Sequence, residues 1–362
     1  MLYFSRFKMT LIWVAVAIAG VLDAPSLFAA GPLAKQPDWI PKLHMAVGLD
    51  QQGGSHILLS LDLDDLIRGR LETTRDEVRS LLRSARIGYT GLARSGRTVQ
   101  VLISDTTQVD AAKTALKTLT DLVAAAGALQ EVTVDESEPG LLKFTVTDAS
   151  IKRHISTALA QSIEVIKRRL YELGIAEPIV HQQGDDRILV QVSGLEDPER
   201  LNEILGRTAK LTIQMIDHSM TVQDALSDRP PAGSSVLYSQ DDPPVPYLIE
   251  DRVIVSGENL LDAQATYNSQ TDEPVVSFTL DSKGAERLGR ATSQNVGKLI
   301  AIVFDDQVIS APLIREPILG GAGQISGNFT AQNAKDIAVL LRAGPLPARL
   351  TIVEESPMAA PK

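Results

Sequence analysis

The sequence predicts an α+β protein built from several subdomains, and three observations carry this prediction. At 362 residues, the chain exceeds the size that one hydrophobic core usually organises, so we expect two or three compact units. Short, β-branched apolar runs alternate along the chain with amphipathic stretches of helical period. Two segments rich in proline and glycine, 218–247 and 344–347, interrupt that alternation and mark boundaries between units.

Composition excludes several classes of function. A hydrophobic content of 44% with 22% charged residues is ordinary for a globular protein and excludes disorder over most of the chain. The net charge of −10 argues against nucleic-acid binding, which needs a basic face to neutralise phosphates. The absence of cysteine from the sequence excludes disulfides, thiolate nucleophiles and thiolate metal sites.

The first 30 residues form a targeting or anchoring segment. Arg6 and Lys8 precede Met9–Leu22, an uncharged run of fourteen residues. That length fits the apolar core of a signal peptide, since a helix needs roughly 20 residues to cross a bilayer. However, no good small-residue cleavage site follows, and extending the run to Ala30 gives a span of adequate length. Cleavage and retention as a transmembrane helix over 1–30 both stay open on the residues alone.

A ferredoxin-like base is predicted from three separate stretches: 46–62, 149–217 and 348–355. The middle stretch has the order helix, strand, strand, helix, strand, which lacks one strand of a ferredoxin-like fold. The alternating apolar residues of the first stretch can supply that strand, and Arg349–Val353 can rejoin the same sheet. A proline-rich spacer over 31–45 precedes the base, and 356–362 form a tail.

An additional α/β subdomain is predicted over 63–147. Its pattern is helix, hairpin, helix, hairpin, with turns at Gly96 and Gly140. Its arginines cluster in sequence, and we interpret them as a solvated face and not a site. They are Arg83, Arg86, Arg94 and Arg97.

An α+β head subdomain is predicted over 248–345, after a linker or hinge at 218–247. Val275–Leu280 is a β-branched strand, and Asp281 offers an N-cap oxygen to the helix that follows. Lys298–Phe304 forms a second strand, and Asp305-Asp306-Gln307 supplies the turn after it. The linker cannot build a core, so we expect an exposed and mobile connection there.

The glycine-rich loop over 319–330 allows three interpretations. A phosphate-binding loop would need Gly-Lys-Ser/Thr or a complete G-x-G-x-x-G, and the sequence around Gly321 and Gly323 falls short of both. A flexible turn is the second interpretation. The third is that the loop belongs to a family motif, because the surrounding sequence is unusually specific.

No pattern in the sequence supports catalysis or a metal site. The five histidines are scattered and form no H-E-x-x-H motif, and no G-x-S-x-G elbow occurs. The pair Asp305-Asp306 fits a turn better than a paired-carboxylate site, because no third ligand is near in sequence. We therefore expect a protein that is not an enzyme and that uses neither a cofactor nor a metal.

Several long, ordered motifs resemble the SecD family of protein translocase subunits. In the head these are LDSKGAERL at 280–288, VISAPLI at 308–314, GQISGNFT at 323–330 and AKDIAVLLRAGPLPA at 334–348. The sequence of Ile163–Leu211 also resembles a SecD signature almost throughout. GLDQQGG at 48–54 resembles the opening motif of the family, although Gln51 replaces its usual leucine. Together these regions cover nearly the whole chain.

The resemblance implies an accessory subunit of the Sec translocase that uses the proton gradient to assist protein export. It implies a retained first transmembrane helix, with the remainder of the chain in the periplasm of a bacterial inner membrane. The implied partners are SecF, the SecYEG translocon, YajC and unfolded preproteins. The proton-carrying carboxylate of the family lies in a later transmembrane helix, beyond Lys362. A membrane-anchored or secreted periplasmic binding module with a different ligand is the alternative.

A site that accepts many unfolded sequences should offer exposed apolar surface or a free strand edge. We expect this preprotein-binding site beside the glycine loop of the head, at Ile309, Leu313, Ile314 and Phe329. The glycines at 320, 321, 323 and 327 would let its rim adapt to varied cargo. Head motion would use 218–247 and a second hinge at Gly344, Pro345 and Pro347.

Overall fold

The computed structural model describes residues 54–121, 131–175, 177–193 and 197–358. The predicted transmembrane helix over 1–30, the spacer over 31–45, the start of the base and residues 359–362 lie outside this range. Within it, no helix combines the length and apolar character needed to cross a membrane.

The described residues form sixteen strands and seven helices, numbered here in chain order. The strands are β1 Gly54–Leu61, β2 Tyr89–Ser95, β3 Thr98–Ile103, β4 Val132–Glu138, β5 Leu141–Val146, β6 Ile179–Gln183, β7 Arg187–Ser193, β8 Leu211–Ile216, β9 Ser234–Ser239, β10 Pro246–Ser256, β11 Leu260–Tyr267, β12 Pro274–Leu280, β13 Ile300–Phe304, β14 Gln307–Ser310, β15 Ala322–Ile325 and β16 Leu350–Met358. The helices are α1 Leu63–Ser84, α2 Val109–Asp121, α3 Asp148–Glu172, α4 Pro198–Gly206, α5 Val222–Ser227, α6 Ser282–Gln294 and α7 Ala331–Ala343.

The base is an antiparallel sheet of order β16-β1-β7-β6. With α3 and α4 it has the β-α-β-β-α-β order and the strand neighbours of a ferredoxin-like unit. β1 and β16 are the strands that the sequence predicts within 46–62 and at Arg349–Val353. The core of the base lies between the sheet and the helices, and it includes Ile57, Leu59, Ile166, Leu170 and Val190.

The additional α/β subdomain is inserted between β1 and α3. Its antiparallel sheet has the order β2-β3-β5-β4, and the core includes side chains from α1 and α2. Phe144 is fully buried at the centre. Gly96 and Gly140 have φ values of +57° and +83°, which glycine adopts without steric cost, so both turns form where the sequence placed them.

The head combines a closed barrel with a smaller sheet. The barrel has the order β10-β8-β13-β14-β9, and it closes through a short parallel pairing of β14 with β9. The smaller sheet has the order β11-β12-β15, and α7 packs against β11 and β12. Asp281 caps α6 by accepting a 2.6 Å hydrogen bond from the Gly284 N–H.

Two expectations about the head were wrong. β8 was assigned to the base sheet, but it pairs with β10 and β13 inside the barrel. All six of its residues are buried, including the polar Thr212 and Gln214, so the strand is covered on both faces. The linker over 218–247 contains α5 and β9, because β9 completes a backbone ladder with β10 and its Leu237 packs against the barrel core.

The glycine loop also contains unexpected structure. Residues 322–325 form β15, which pairs antiparallel with β12 through Val276–Ile325 and Ser277–Gln324 among others. The strand is short and carries two small residues, so neither its length nor its periodicity marks it in the sequence.

Candidate functional site

The four residues predicted for preprotein binding fall into different environments. Ile309 and Ile314 are buried in the head core, with 8% and 3% of their surface exposed. They fill that core and do not offer the accessible surface that the prediction needs. Leu313 is 51% exposed, and Phe329 is half-buried against the same core. Leu313 and Phe329 therefore remain the accessible members of the set.

Leu313 belongs to a group of exposed apolar side chains that we call the apolar rim, defined as Val296, Leu313 and Leu319. Their exposed fractions are 51%, 51% and 72%. Leu313 forms a β-bridge with Leu299, shortly after Val296 at the end of α6. Leu319 lies against Gly289 of α6, where an added Cβ would stand 3.4 Å from its Cδ2. Sequence reasoning missed Val296 and Leu319, because nothing in their spacing distinguishes an exposed loop side chain from a core one.

A cleft of about 290 Å³ separates α4 of the base from β14 and α7 of the head. Phe329 and Ile309 line it together with Ile204, Ile337 and Leu340. Its rim carries the carboxylates of Glu203, Asp241, Asp242 and Asp336. The structure therefore brings two of the four predicted residues together at this cleft, whereas Leu313 and Ile314 do not line it.

The glycines of the loop serve close packing. A Cβ on Gly323 would lie 2.6 Å from Cζ of Phe278, and one on Gly327 would lie 2.9 Å from the carbonyl oxygen of Ile309. Gly321 has a φ of +65°, and its Cβ would meet that of Ala285 at 2.5 Å. The missing side chains of these three glycines make room for neighbouring atoms. That the glycines let the rim adapt to varied cargo stays a prediction.

Two crossings connect the head to the base, and they lie side by side. The first is Arg207–Lys210, between α4 and β8, and the second is Gly344–Pro347, after α7. The Leu346 N–H donates a 2.8 Å hydrogen bond to the Thr208 carbonyl, which joins them. The predicted hinge residues Gly344, Pro345 and Pro347 make up the second crossing. The first lies before β8 and not in 218–247, because β8 already belongs to the head.

Arg169 of α3 is a fully buried residue at these crossings that sequence reasoning missed. Its Nη1 donates to the carbonyls of Ile204 and Arg207 at 2.7 Å and 2.6 Å. Its Nη2 lies 3.4 Å from the carbonyls of both Thr208 and Gly344. Burial lowers the pKa of Arg169 to about 9, and the Asp305 carboxylate opposes that shift.

A signal for Arg169 was present in the sequence. Arg169 lies three residues after Ile166, on the apolar face of α3. An arginine on such a face stands out, because lysine and arginine are rarely fully buried without a partner.

Asp305 links the barrel to the first crossing. Asp305 and Asp306 have φ values of 50° and 63° and form the tight turn between β13 and β14, so the predicted turn is confirmed. The Asp305 carboxylate accepts hydrogen bonds from the Lys210 N–H at 2.9 Å and from the Thr208 hydroxyl. Across the described ranges, no three side chains of His, Cys, Asp or Glu converge to hold a metal.

Helix α7 of the head is also fastened to the base by two ion pairs. Arg200 of α4 donates to Asp336 at 2.7 Å and 3.0 Å. Arg342 donates to Glu172 of α3 at 2.6 Å and 2.9 Å, and to the Ala263 carbonyl of β11 at 2.6 Å. These contacts join the head to the base in the orientation of this structure.

Comparison with known proteins identifies the family of the chain. Residues 234–348 match the family model of the SecDF P1 head subdomain, and 159–218 match the N-terminal part of the P1 domain of protein translocase subunit SecDF. Protein translocase subunit SecD of Acetobacter pasteurianus is 36% identical over 359 residues, which are 98% of this chain and 66% of that protein. The chain belongs to the SecD family.

A second SecD relative agrees with this assignment, and a solved SecDF structure shares the fold. SecD of Rickettsia bellii is 35% identical over 317 residues, covering 88% of this chain and 59% of that protein. The crystal structure of SecDF in its super-membrane-facing form shares the fold with a TM-score of 0.52 at 22% identity, covering 95% of this chain and 35% of that one. The chain thus spans about three fifths to two thirds of the length of these SecD relatives.

Proposed function

We propose that this chain is the membrane-anchored, periplasmic part of a SecD subunit that assists protein export by binding the emerging preprotein. In this proposal residues 1–30 remain in the bacterial inner membrane, and the head moves on the base. The translocon SecYEG, SecF, YajC and unfolded preproteins are the partners. The observation that carries the proposal is the apolar rim, exposed on a head that two adjacent crossings attach to the base.

The apolar rim fits an extended, variable polypeptide. Its three side chains expose between 51% and 72% of their surface, and they belong to loops held on α6. Apolar contact of this kind selects for hydrophobic character without reading sequence closely. Phe329, which lines the head–base cleft, provides a second contact for the preprotein. The area of this contact depends on the distance between the head and α4.

The crossings support motion of the head as a unit. The chain passes between head and base at Arg207–Lys210 and Gly344–Pro347, and these two segments are hydrogen-bonded to each other. Two adjacent crossings define an axis, about which a body can turn with few changes of backbone angle. The ion pairs from Arg200 and Arg342 would have to break or exchange during such a rotation.

Site-specific photo-crosslinking in the full-length subunit tests the binding proposal. Crosslinkers at Leu313 and Phe329 should capture a preprotein stalled in the translocon, and one at the exposed Arg86 of the inserted subdomain should not. Equal labelling at all three positions, or no labelling in the head, would contradict the proposal. Failure to copurify with SecF or the translocon would favour a binding module with a different ligand.

A further inference from the structure

Arg169 is an unusual residue in the interior of this protein. None of its surface is exposed, and in the described part of the chain its hydrogen bonds go to backbone carbonyls and not to a carboxylate. Its Nε is buried without a partner among the described residues. An apolar side chain of similar length would avoid the cost of burying this charge, so packing alone does not explain an arginine here.

The acceptors of Arg169 belong to both crossings between the head and the base. Arg207 and Thr208 lie in the first crossing, and Gly344 begins the second. Arg169 itself sits in α3, which belongs to the base. Its guanidinium can reach all three carbonyls only while the crossings lie together, as the hydrogen bond between Leu346 and Thr208 also requires.

We propose that Arg169 is a latch, a positioning residue that holds the head in the orientation of this structure by binding both crossings at once. The inference rests on the proposed motion of the head. It adds that one buried guanidinium sets the balance between orientations, because a rotation that moves the carbonyls of either crossing away from α3 leaves Arg169 with fewer acceptors. A buried donor that loses an acceptor is costly, and this cost makes the latched orientation distinct from any other.

Distance measurement between spin labels tests the latch without any preprotein. The sequence has no cysteine, so Gln182→Cys in β6 and Arg287→Cys in α6 give one label on the base and one on the head, both at exposed positions. The labels are placed in the full 362-residue chain. The distance distribution is then compared between this parent and Arg169→Met, which removes the donors but keeps an apolar side chain of similar length.

We expect Arg169→Met to broaden the distribution or add a second population, changing the ratio of orientations by about tenfold for each crossing bond lost. Arg168→Met is the matched control. It is the neighbouring residue of the same helix and is exposed. Among the described residues, its hydrogen bond goes to the Glu164 carbonyl of its own helix, at 3.4 Å. It should keep the parent distribution.

Each outcome decides the inference. An unchanged distribution in Arg169→Met overturns the latch, even if preprotein crosslinking to the head succeeds. If that variant does not fold, Arg169→Lys is measured, since it retains the charge but cannot span the same acceptors. A Lys variant with the parent distribution overturns the latch, and so does unfolding of both variants, which would assign Arg169 to the stability of the core. A broadened distance distribution in Arg169→Lys supports the latch.

Discussion

Leu346 and Thr208 are joined by a 2.8 Å hydrogen bond, from the backbone N–H of one to the carbonyl oxygen of the other. They lie 138 positions apart (346 − 208) on the two segments that connect head and base. The bond keeps these two segments adjacent. The same Thr208 carbonyl lies 3.4 Å from Arg169, and thus one carbonyl links both crossings and the base helix.

Gly344→Ala should destabilise the protein by about 1–3 kcal/mol, measured by urea unfolding. Gly344 has φ +89° and ψ 169°, a backbone conformation that is essentially restricted to glycine. A Cβ there would touch no other atom within 4 Å, so the effect comes from backbone strain and not from a clash.

Gly69→Ala is the matched control for this change. Gly69 lies inside α1, and a Cβ there also meets nothing within 4 Å. Alanine in a helix interior is more favourable than glycine by roughly 0.5–1 kcal/mol, so this variant should be stabilised. Equal effects of the two substitutions would refute the strain argument at Gly344.

The Arg200–Asp336 pair should show a coupling energy of about 0.5–1 kcal/mol in a double-mutant cycle of Arg200→Met and Asp336→Asn, followed by urea unfolding. The bonds are short, but 36% and 20% of the two side chains are exposed, and solvent screens the attraction. The value should fall as salt is added.

An exposed ion pair on the head provides the comparison. Arg290 and Glu286 lie one turn apart on α6, with 68% and 70% of their side chains exposed. A double-mutant cycle of Arg290 and Glu286 should give a coupling energy of about 0.3–0.5 kcal/mol or less, as is typical of such helix pairs. A coupling for Arg200 and Asp336 no larger than this would show that the pair does not fasten the head to the base.

The sequence predicted the base better than the head, and the reason is physical. In β1, α3 and β7 the core side chains recur with the period of the element, so the sequence shows which side is buried. β8 alternates apolar residues with Thr212 and Gln214, so its periodicity predicts a strand but does not show which sheet the strand joins. Three of the six residues of β9 are serines, and the backbone hydrogen bonds that pair it with β10 leave no mark on composition.

The candidate site was predictable only in part, for a related reason. Side-chain chemistry correctly favoured loop residues such as Leu313, but the exposure of an individual side chain depends on contacts between distant segments. Ile314 is one position away from Leu313 and is buried. Arg169 was missed because its acceptors are backbone carbonyls, which every residue possesses.

Asp281→Asn should lower stability at neutral pH, and this deficit should shrink as the pH falls below the ordinary pKa of a carboxyl group. The Gly284 N–H holds the pKa of the Asp281 carboxyl below its ordinary value, with a smaller contribution from the Asn259 amide in the same direction. A carboxyl whose pKa is lowered by folding stabilises the fold at pH values above its unfolded-state pKa, about 3.9. This contribution is lost as the pH falls through the folded-state pKa. Asparagine is a comparable N-cap without charge.

The midpoint of urea unfolding, measured at pH 7, 5 and 3, tests whether the stability difference changes with pH in this direction. The difference between the parent and Asp281→Asn should be present at pH 7 and 5 and should shrink at pH 3. Asp281→Ala removes the cap oxygen as well as the charge, so its deficit should persist at pH 3. If the stability difference between the parent and Asp281→Asn is constant with pH, or grows in acid, the carboxylate charge has no role.

Gly323→Ala should destabilise the head by about 1–3 kcal/mol, because the new methyl group would lie 2.6 Å from Cζ and 2.9 Å from Cε1 of Phe278. Phe278 is 6% exposed and belongs to the head core, so its ring has little room to move. Gly320→Ala is the control in the same loop. A Cβ there meets nothing within 4 Å, and its effect should be within about 0.5 kcal/mol of zero.

A second substitution shows whether the ring is the cause. Phe278→Leu removes the clashing atoms, so the double variant with Gly323→Ala should be more stable than the sum of the single effects predicts. The midpoints of urea unfolding for all four proteins give this coupling directly. Additive effects would mean that Gly323 is needed for its backbone freedom, which would restore the view that this glycine makes the loop adaptable.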